Sequence, residues 1–92
     1  MNHLDLMQHY DVLLDTNQQK MLHFAKPTGR VQACQDLLEV MRDMVLNNCD
    51  VSGQTSQLVG LLGWQAKHLV DQHIRLLQDM RKLFVQLGCL GC

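Results

Sequence analysis

Apolar residues recur at alternating steps of three and four along residues 58–87, which is the spacing of one helical face. We refer to these positions as the seam, and they are Val59, Leu62, Ala66, Leu69, His73, Leu76, Met80, Leu83 and Leu87. A second apolar row beside the seam consists of Val70, Ile74, Leu77 and Phe84. Because the combined face is wider than a two-stranded coiled coil needs, it predicts a long amphipathic helix packed against two or more others.

Two further helices precede the long one. The apolar spacing predicts helices over about 3–25 and 30–48. Pro27 ends the first helix, because proline disfavours helical geometry in the residue before it. Residues 15–20 form a polar block across the middle of the first helix. We expect one continuous helix there, while a break near Asn17 with a newly capped start is the alternative.

The third helix, over about 56–87, contains Gly63 in its interior. Thr55 or Ser56 is expected to cap its beginning. The seam keeps its spacing through Gly63, which favours a continuous helix over a short helix followed by a long one from Trp64. The predicted fold is therefore all-α, a small antiparallel helical bundle of three helices, or four if the chain breaks at Gly63.

The chain length favours a single helical domain over 1–88, followed by a flexible cysteine-containing tail over 89–92. The long C-terminal helix exceeds its partners in length, so a strip of its apolar face would stay uncovered in one chain. We therefore expect a homodimer in which a second copy completes the bundle.

Composition and charge narrow the classes of partner. The net charge of −1 provides no overall field that would attract nucleic acid or a membrane surface. No apolar run is long enough to span a bilayer, and the N-terminal residues do not resemble a signal peptide. Four cysteines without a secretion signal are typical of a reducing compartment, so we expect a cytoplasmic protein.

The sequence offers little that indicates catalysis or metal binding. Cys89 and Cys92 form a C-x-x-C pair, but His68 and His73 do not converge on it to complete a zinc site. The pair also follows a helix, whereas a helix N-terminus is what lowers a thiol pKa in redox motifs. No nucleotide-binding or metalloprotease motif occurs. We therefore expect no enzymatic activity, no metal and no cofactor.

Two residues of the long helix have alternative interpretations. His73 interrupts the apolar seam, and we expect it to be hydrogen-bonded in the core. Roles in setting the oligomeric register or in sensing pH are the alternatives. For Trp64 we expect core packing, with anchoring of a partner as the alternative.

The predicted function is that of a non-enzymatic helical interaction module, such as an adaptor, small chaperone or antiactivator. It would bury an amphipathic helix of a target, or a second copy of itself, against its Leu/Met-rich face. The residues expected in the partner or dimer interface are Trp64, Leu69, His73, Ile74, Leu76, Leu77, Met80, Leu83 and Phe84.

A small DNA-binding transcriptional regulator is the alternative function. It would have a helix-turn-helix around residues 56–82, because basic residues lie along the second half of that stretch. The residues expected to contact nucleic acid in that case are Lys67, His68, Arg75, Arg81 and Lys82.

Overall fold

The computed structural model describes residues 3–88, and every regular element in that range is helical. The four α-helices are α1 (His3–Ala25), α2 (Val31–Leu46), α3 (Ser52–Leu62) and α4 (Lys67–Gln86). Short 3₁₀ turns over Lys26–Thr28 and Trp64–Ala66 connect α1 to α2 and α3 to α4. The all-α prediction is confirmed, and the number of α-helices is four rather than three. No helix of the described residues is both long and apolar enough to cross a membrane.

Helix α1 runs without a break through the polar block at residues 15–20, as expected. The block fits a helix because its side chains divide between two environments. Asp15, Thr16 and Gln19 are exposed, whereas Asn17 is buried on the same face as Leu14 and Met21. The helix ends at Ala25, and Pro27 lies in the 3₁₀ turn that follows it.

The predicted continuous helix over 56–87 is wrong, because the chain turns at Gly63. This residue has φ 92° and ψ 157°, a conformation that is essentially restricted to glycine. Its N–H donates to the carbonyl oxygen of Val59 and completes the last turn of α3, at 2.8 Å. Leu62 and Ala66, the seam residues on either side of the turn, are both buried. The spacing of apolar residues is therefore the same across the turn as within a helix. Here the spacing of apolar residues indicates which residues are buried, and it does not show that the helix is continuous.

The predicted cap of this segment is also wrong. Helix α3 begins at Ser52, so Thr55 and Ser56 lie inside it. The Asp50 carboxylate accepts hydrogen bonds from the Ser52 hydroxyl at 2.7 Å and from the Ser52 backbone N–H at 3.4 Å. The Thr55 hydroxyl donates instead to the Val51 carbonyl oxygen at 2.8 Å. The N-cap residue Val51 provides no side-chain cap, and the contacts of the Asp50 carboxylate with Ser52 are the ones found at this end of the helix instead.

One core joins all four helices. Helix α1 makes its most extensive contact with α4, while α2 and α3 contact each other and both helices of that pair. The two helices of the pair are antiparallel. Helix α1 runs antiparallel to α2, because Asp11 forms a salt bridge with Arg42 while the short α1–α2 connection lies at the opposite end. Helix α2 runs in the same direction as α4, because Leu38 shares a cleft with His73 and Val45 shares one with Gln78. The buried apolar residues of the core are Leu14, Met21, Leu22, Ala25, Cys34, Leu38, Met41, Val45, Leu58, Leu62, Ala66, Leu69, Val70, Leu76, Leu77 and Met80.

The turn at Gly63 predicts opposite effects for two glycine-to-alanine substitutions. Gly63→Ala should lower the free energy of unfolding by about 1–3 kcal/mol, because alanine disfavours this backbone conformation. Gly60→Ala, inside α3, should raise it by about 1 kcal/mol. A Cβ atom added at either position meets no atom within 4 Å, so conformation alone separates the two variants. Urea denaturation followed by circular dichroism measures both, and stabilisation by Gly63→Ala would contradict the turn.

Candidate functional site

A groove with a volume of about 480 Å³ lies between α1 and α4. Helices α2 and α3 contribute no residue to its lining, and this side of the α1–α4 pair remains open. We call it the α1–α4 groove. Its lining consists of Leu13, Thr16, Asn17 and Lys20 from α1, and of His68, Leu69, Gln72 and Leu76 from α4.

The groove has an apolar centre and polar margins. Leu69 and Leu76 are almost fully buried, while the Leu13 side chain on the opposite wall is 37% exposed. Thr16 and Gln72 are exposed beside these leucines, and Lys20 is exposed at one end. No carboxylate lines the groove, so its charge is positive at the Lys20 end. This combination suits an apolar ligand surface that carries an acidic group.

A buried polar contact lies directly beneath the groove. The Asn17 amide nitrogen donates to the Leu69 carbonyl oxygen at 2.8 Å and lies 3.2 Å from Nδ1 of His73. Asn17 is 7% exposed and His73 is 4% exposed. An amide NH₂ has two hydrogens, so it satisfies both acceptors when Nδ1 of His73 carries no proton. The expectation that His73 is hydrogen-bonded in the core is confirmed.

The environment of His73 favours its neutral form. Burial, together with the smaller effect of the nearby positive charge of Arg42, lowers the pKa of His73 from 6.5 to about 4. Arg42, Asp15 and Glu39 line a second cleft, of about 260 Å³, on the side of His73 that faces α2. The imidazole thus lies between two clefts and accepts the Asn17 amide on one side.

The nine residues predicted for the interface do not form one exposed surface. Leu69, His73, Leu76, Leu77 and Met80 are buried within the chain's own core. Ile74, Leu83 and Phe84 are half-buried on α4. Only the Trp64 side chain is mostly exposed, at 73%.

The expected core packing of Trp64 is wrong. Its ring lies on the outside of the turn at Gly63, and Nζ of Lys67 lies 5.5 Å from the ring centroid. The reversal of direction at Gly63 buries Leu62 and Ala66 and leaves the intervening tryptophan in solvent. An exposed indole of this kind is available to a partner.

The basic residues named for nucleic-acid binding lie in different environments. His68, Arg75 and Lys82 are exposed and recur every seven residues on α4, which places them along one side of the helix. Lys67 forms a salt bridge with Asp71 at 2.7 Å. Arg81 is half-buried, and its Nε has no hydrogen-bond partner among the described residues. Acidic residues beside these basic residues therefore lower the positive charge of this surface of α4.

Sequence reasoning missed the α1 side of the site, which comprises Leu13, Thr16, Asn17 and Lys20. Asn17 carried the available signal, because a polar residue at a core position of the helical period requires a hydrogen-bond partner. The partner itself, more than fifty residues away, gives no local signal.

The cysteines contribute no metal site among the described residues. Three or more metal-ligating side chains do not come together anywhere in residues 3–88. Burial raises the pKa of the Cys34 thiol, whereas Cys49 is exposed. The C-x-x-C pair at Cys89 and Cys92 lies outside the described residues.

Comparisons with protein-family models, with curated proteins and with solved structures found no match to this chain.

The Asn17–His73 contact predicts a specific loss of stability in acid. Between pH 6.5 and pH 4 the unfolded chain binds a proton at residue 73 and the folded chain does not. The free energy of unfolding therefore falls as the pH decreases through this window, by up to about 3 kcal/mol. Replacing histidine by glutamine at this position removes the titration and keeps an acceptor for Asn17.

Urea titrations at pH 7, 5.5 and 4 measure the effect. His73→Gln should lose most of the decrease in stability, whereas His68→Gln, at an exposed position on the same helix, should retain it. Equal pH dependence in the wild type and in His73→Gln would contradict the assignment.

Proposed function

We propose that the protein is a non-enzymatic interaction module that binds an amphipathic helix along the α1–α4 groove. The observation that carries the proposal is an open groove with an apolar centre between two antiparallel helices, to which α2 and α3 contribute no lining residue. An adaptor, small chaperone or antiactivator acts through such a surface without catalysis. The four cysteines of the chain fit a reducing, cytoplasmic location for this role.

Binding would use the same forces as helix packing within the protein. Apolar side chains of the incoming helix would cover Leu13, Leu69 and Leu76, at spacings of three and four residues. A carboxylate at one end of that helix would lie near Lys20, and this contact would determine its direction. Thr16 and Gln72 provide polar groups at the margins, where an interface is expected to stay hydrated.

Trp64 would extend the binding surface beyond the groove. It precedes His68, which lines the groove, by about one helical turn. Tryptophan is enriched among residues that dominate binding energy, because its large ring gains much apolar contact at low entropic cost. Burial of this single tryptophan also provides a fluorescence signal for binding.

Selection of peptides tests the proposed function. A phage-displayed library of amphipathic helical peptides is selected against the wild-type protein. Selected peptides should carry leucine-like residues at helical spacing and at least one acidic residue. Leu13→Asp should abolish their binding, because it places a charge in the apolar part of the groove. Val40→Asp is the matched control, since Val40 is 48% exposed on α2 and outside the groove.

Fluorescence titration of Trp64 then measures each affinity. A failure to select any helix, or equal binding to both aspartate variants, would overturn the proposal.

A DNA-binding regulator is the second candidate, and the turn at Gly63 favours it. Helix α3, the turn and α4 follow one another in the order of a helix-turn-helix, with Arg75 and Lys82 exposed on the second helix. If DNA is the ligand, the double variant Arg75→Ala, Lys82→Ala should bind more weakly and lower the salt dependence by about one unit per lost phosphate contact.

Our leading proposal expects no sequence-specific DNA binding by the wild type. Selection from random duplex DNA followed by titration at two salt concentrations separates the two functions. The double variant Lys26→Ala, Arg30→Ala, in the connection between α1 and α2, is the control for loss of two positive charges.

A further inference from the structure

The open side of the α1–α4 pair extends beyond the groove along both helices. Helical spacing places one row of α1 residues on this side, namely Leu6, His9, Leu13, Thr16 and Lys20. The corresponding row of α4 consists of His68, Gln72, Leu76, Asp79 and Leu83. All of these side chains are exposed or half-buried except Leu76, which forms part of the floor. We call this surface the open face.

The open face is arranged in levels of similar chemistry. Because α1 and α4 are antiparallel, each residue of one row lies beside a residue of the other at the same height. With Asn17 in contact with Leu69 and His73, the helical rise gives five levels, which run from an apolar pair through alternating polar and apolar pairs to a basic pair. They are Leu6 with Leu83, His9 with Asp79, Leu13 with Leu76, Thr16 with Gln72 and Lys20 with His68. The residues of the last three levels line the α1–α4 groove together. Such layering constrains which surfaces match the face.

The size of the face fits a weak interface between proteins. Two helices side by side are about 20 Å wide, and residues 68–83 span about 24 Å. The face therefore offers about 500 Å² on each copy, or about 1,000 Å² for a symmetric pair. That total is near the lower limit for a specific interface. We expect an assembly that dissociates on dilution.

We propose that the open face binds a second copy of this chain, with a two-fold axis parallel to α1 and α4. This inference rests on the proposed function, and it assigns a second copy to the surface that contains the α1–α4 groove. The axis places α4 of one copy over α1 of the other, at the same height. Leu83 then faces Leu6 of the second copy and Leu76 faces its Leu13. Asp79 faces the histidine at position 9 of the second copy.

The other symmetric arrangement matches the surface poorly. A two-fold axis perpendicular to the helices, with full overlap of the faces, would place the Leu6–Leu83 level on the Lys20–His68 level. Apolar side chains would then be buried against a lysine ammonium, which costs free energy without a compensating partner. The parallel axis instead stacks leucine on leucine at two levels, which is the match that favours it.

The proposed arrangement has one unfavourable level. Lys20 of each copy faces His68 of the other, so basic groups meet twice at one end of the interface. Lys20 has no salt-bridge partner among the described residues that would neutralise it. A carboxylate at position 20 would instead accept a hydrogen bond from the imidazole of the second copy.

Molar mass in solution tests the proposal on the full chain under reducing conditions. Sedimentation equilibrium from about 1 µM to about 500 µM should show wild-type mass rising towards that of a dimer. Leu13→Asp should weaken self-association at least about tenfold, because it places two charges in the interface. Thr16→Arg, at an exposed position, should act similarly without disturbing the core, and Val40→Asp should have no effect.

Lys20→Glu tests the direction of the axis. It should strengthen self-association by about threefold or more, since it replaces a like-charge contact with an attractive one. Weaker association of this variant would overturn the parallel arrangement, and a wild type that stays monomeric throughout the range would overturn the second copy as partner.

The experiments distinguish failure of this inference from failure of the proposed function. A monomeric wild type that still binds the selected helical peptides through Leu13 would overturn only the inference about a second copy. If the inference holds, the same peptides should convert the dimer into a complex of one chain and one peptide. Peptides that bind without dissociating the dimer would overturn it, because the two ligands would then use different surfaces.

Discussion

The hydrogen bonds from Asn17 to the Leu69 carbonyl oxygen and to His73 determine how α1 and α4 fit together. The apolar positions of α1 recur at helical spacing, so apolar contact alone would tolerate a shift of α1 along α4. A shift would leave the Asn17 amide and the imidazole buried without partners, which costs about 1–3 kcal/mol for each group. The single polar contact therefore defines the level at which Leu13 meets Leu76 and Lys20 meets His68. The composition of the α1–α4 groove follows from that register.

The helical segments and most core positions were predictable from the sequence because both depend on local spacing. α1 and α2 have nearly the predicted bounds, and six of the nine seam positions are buried in this chain. The break at Gly63 was not predictable from spacing, since Leu62 and Ala66 fulfil the same pattern on either side of a turn. What distinguishes a turn from a helix here is the backbone conformation of one glycine, and an apolar pattern does not encode it.

The candidate site was predictable only in part, for a different physical reason. Periodicity shows which face of α4 is apolar, but it does not show which helix of the same chain covers that face. Leu77 and Met80 were assigned to a partner, and they are buried instead in the chain's own core. The α1–α4 groove forms where no other helix of the chain covers α1 and α4, and these two helices are distant in sequence. His73 is the exception, because a polar residue in an apolar seam indicates a buried hydrogen bond whatever the neighbouring element is.

A polar contact at this place favours specificity more than stability. Well-packed apolar side chains at positions 17 and 73 would avoid the desolvation of an amide and an imidazole. They would also permit α1 to pair with α4 at alternative heights, because Leu14 and Met21 on either side of Asn17 repeat at one heptad. Each alternative height would bring different side chains to the groove and separate the leucines that form its centre. A groove made by two helices thus requires a fixed register, and the buried Asn17–His73 contact supplies it.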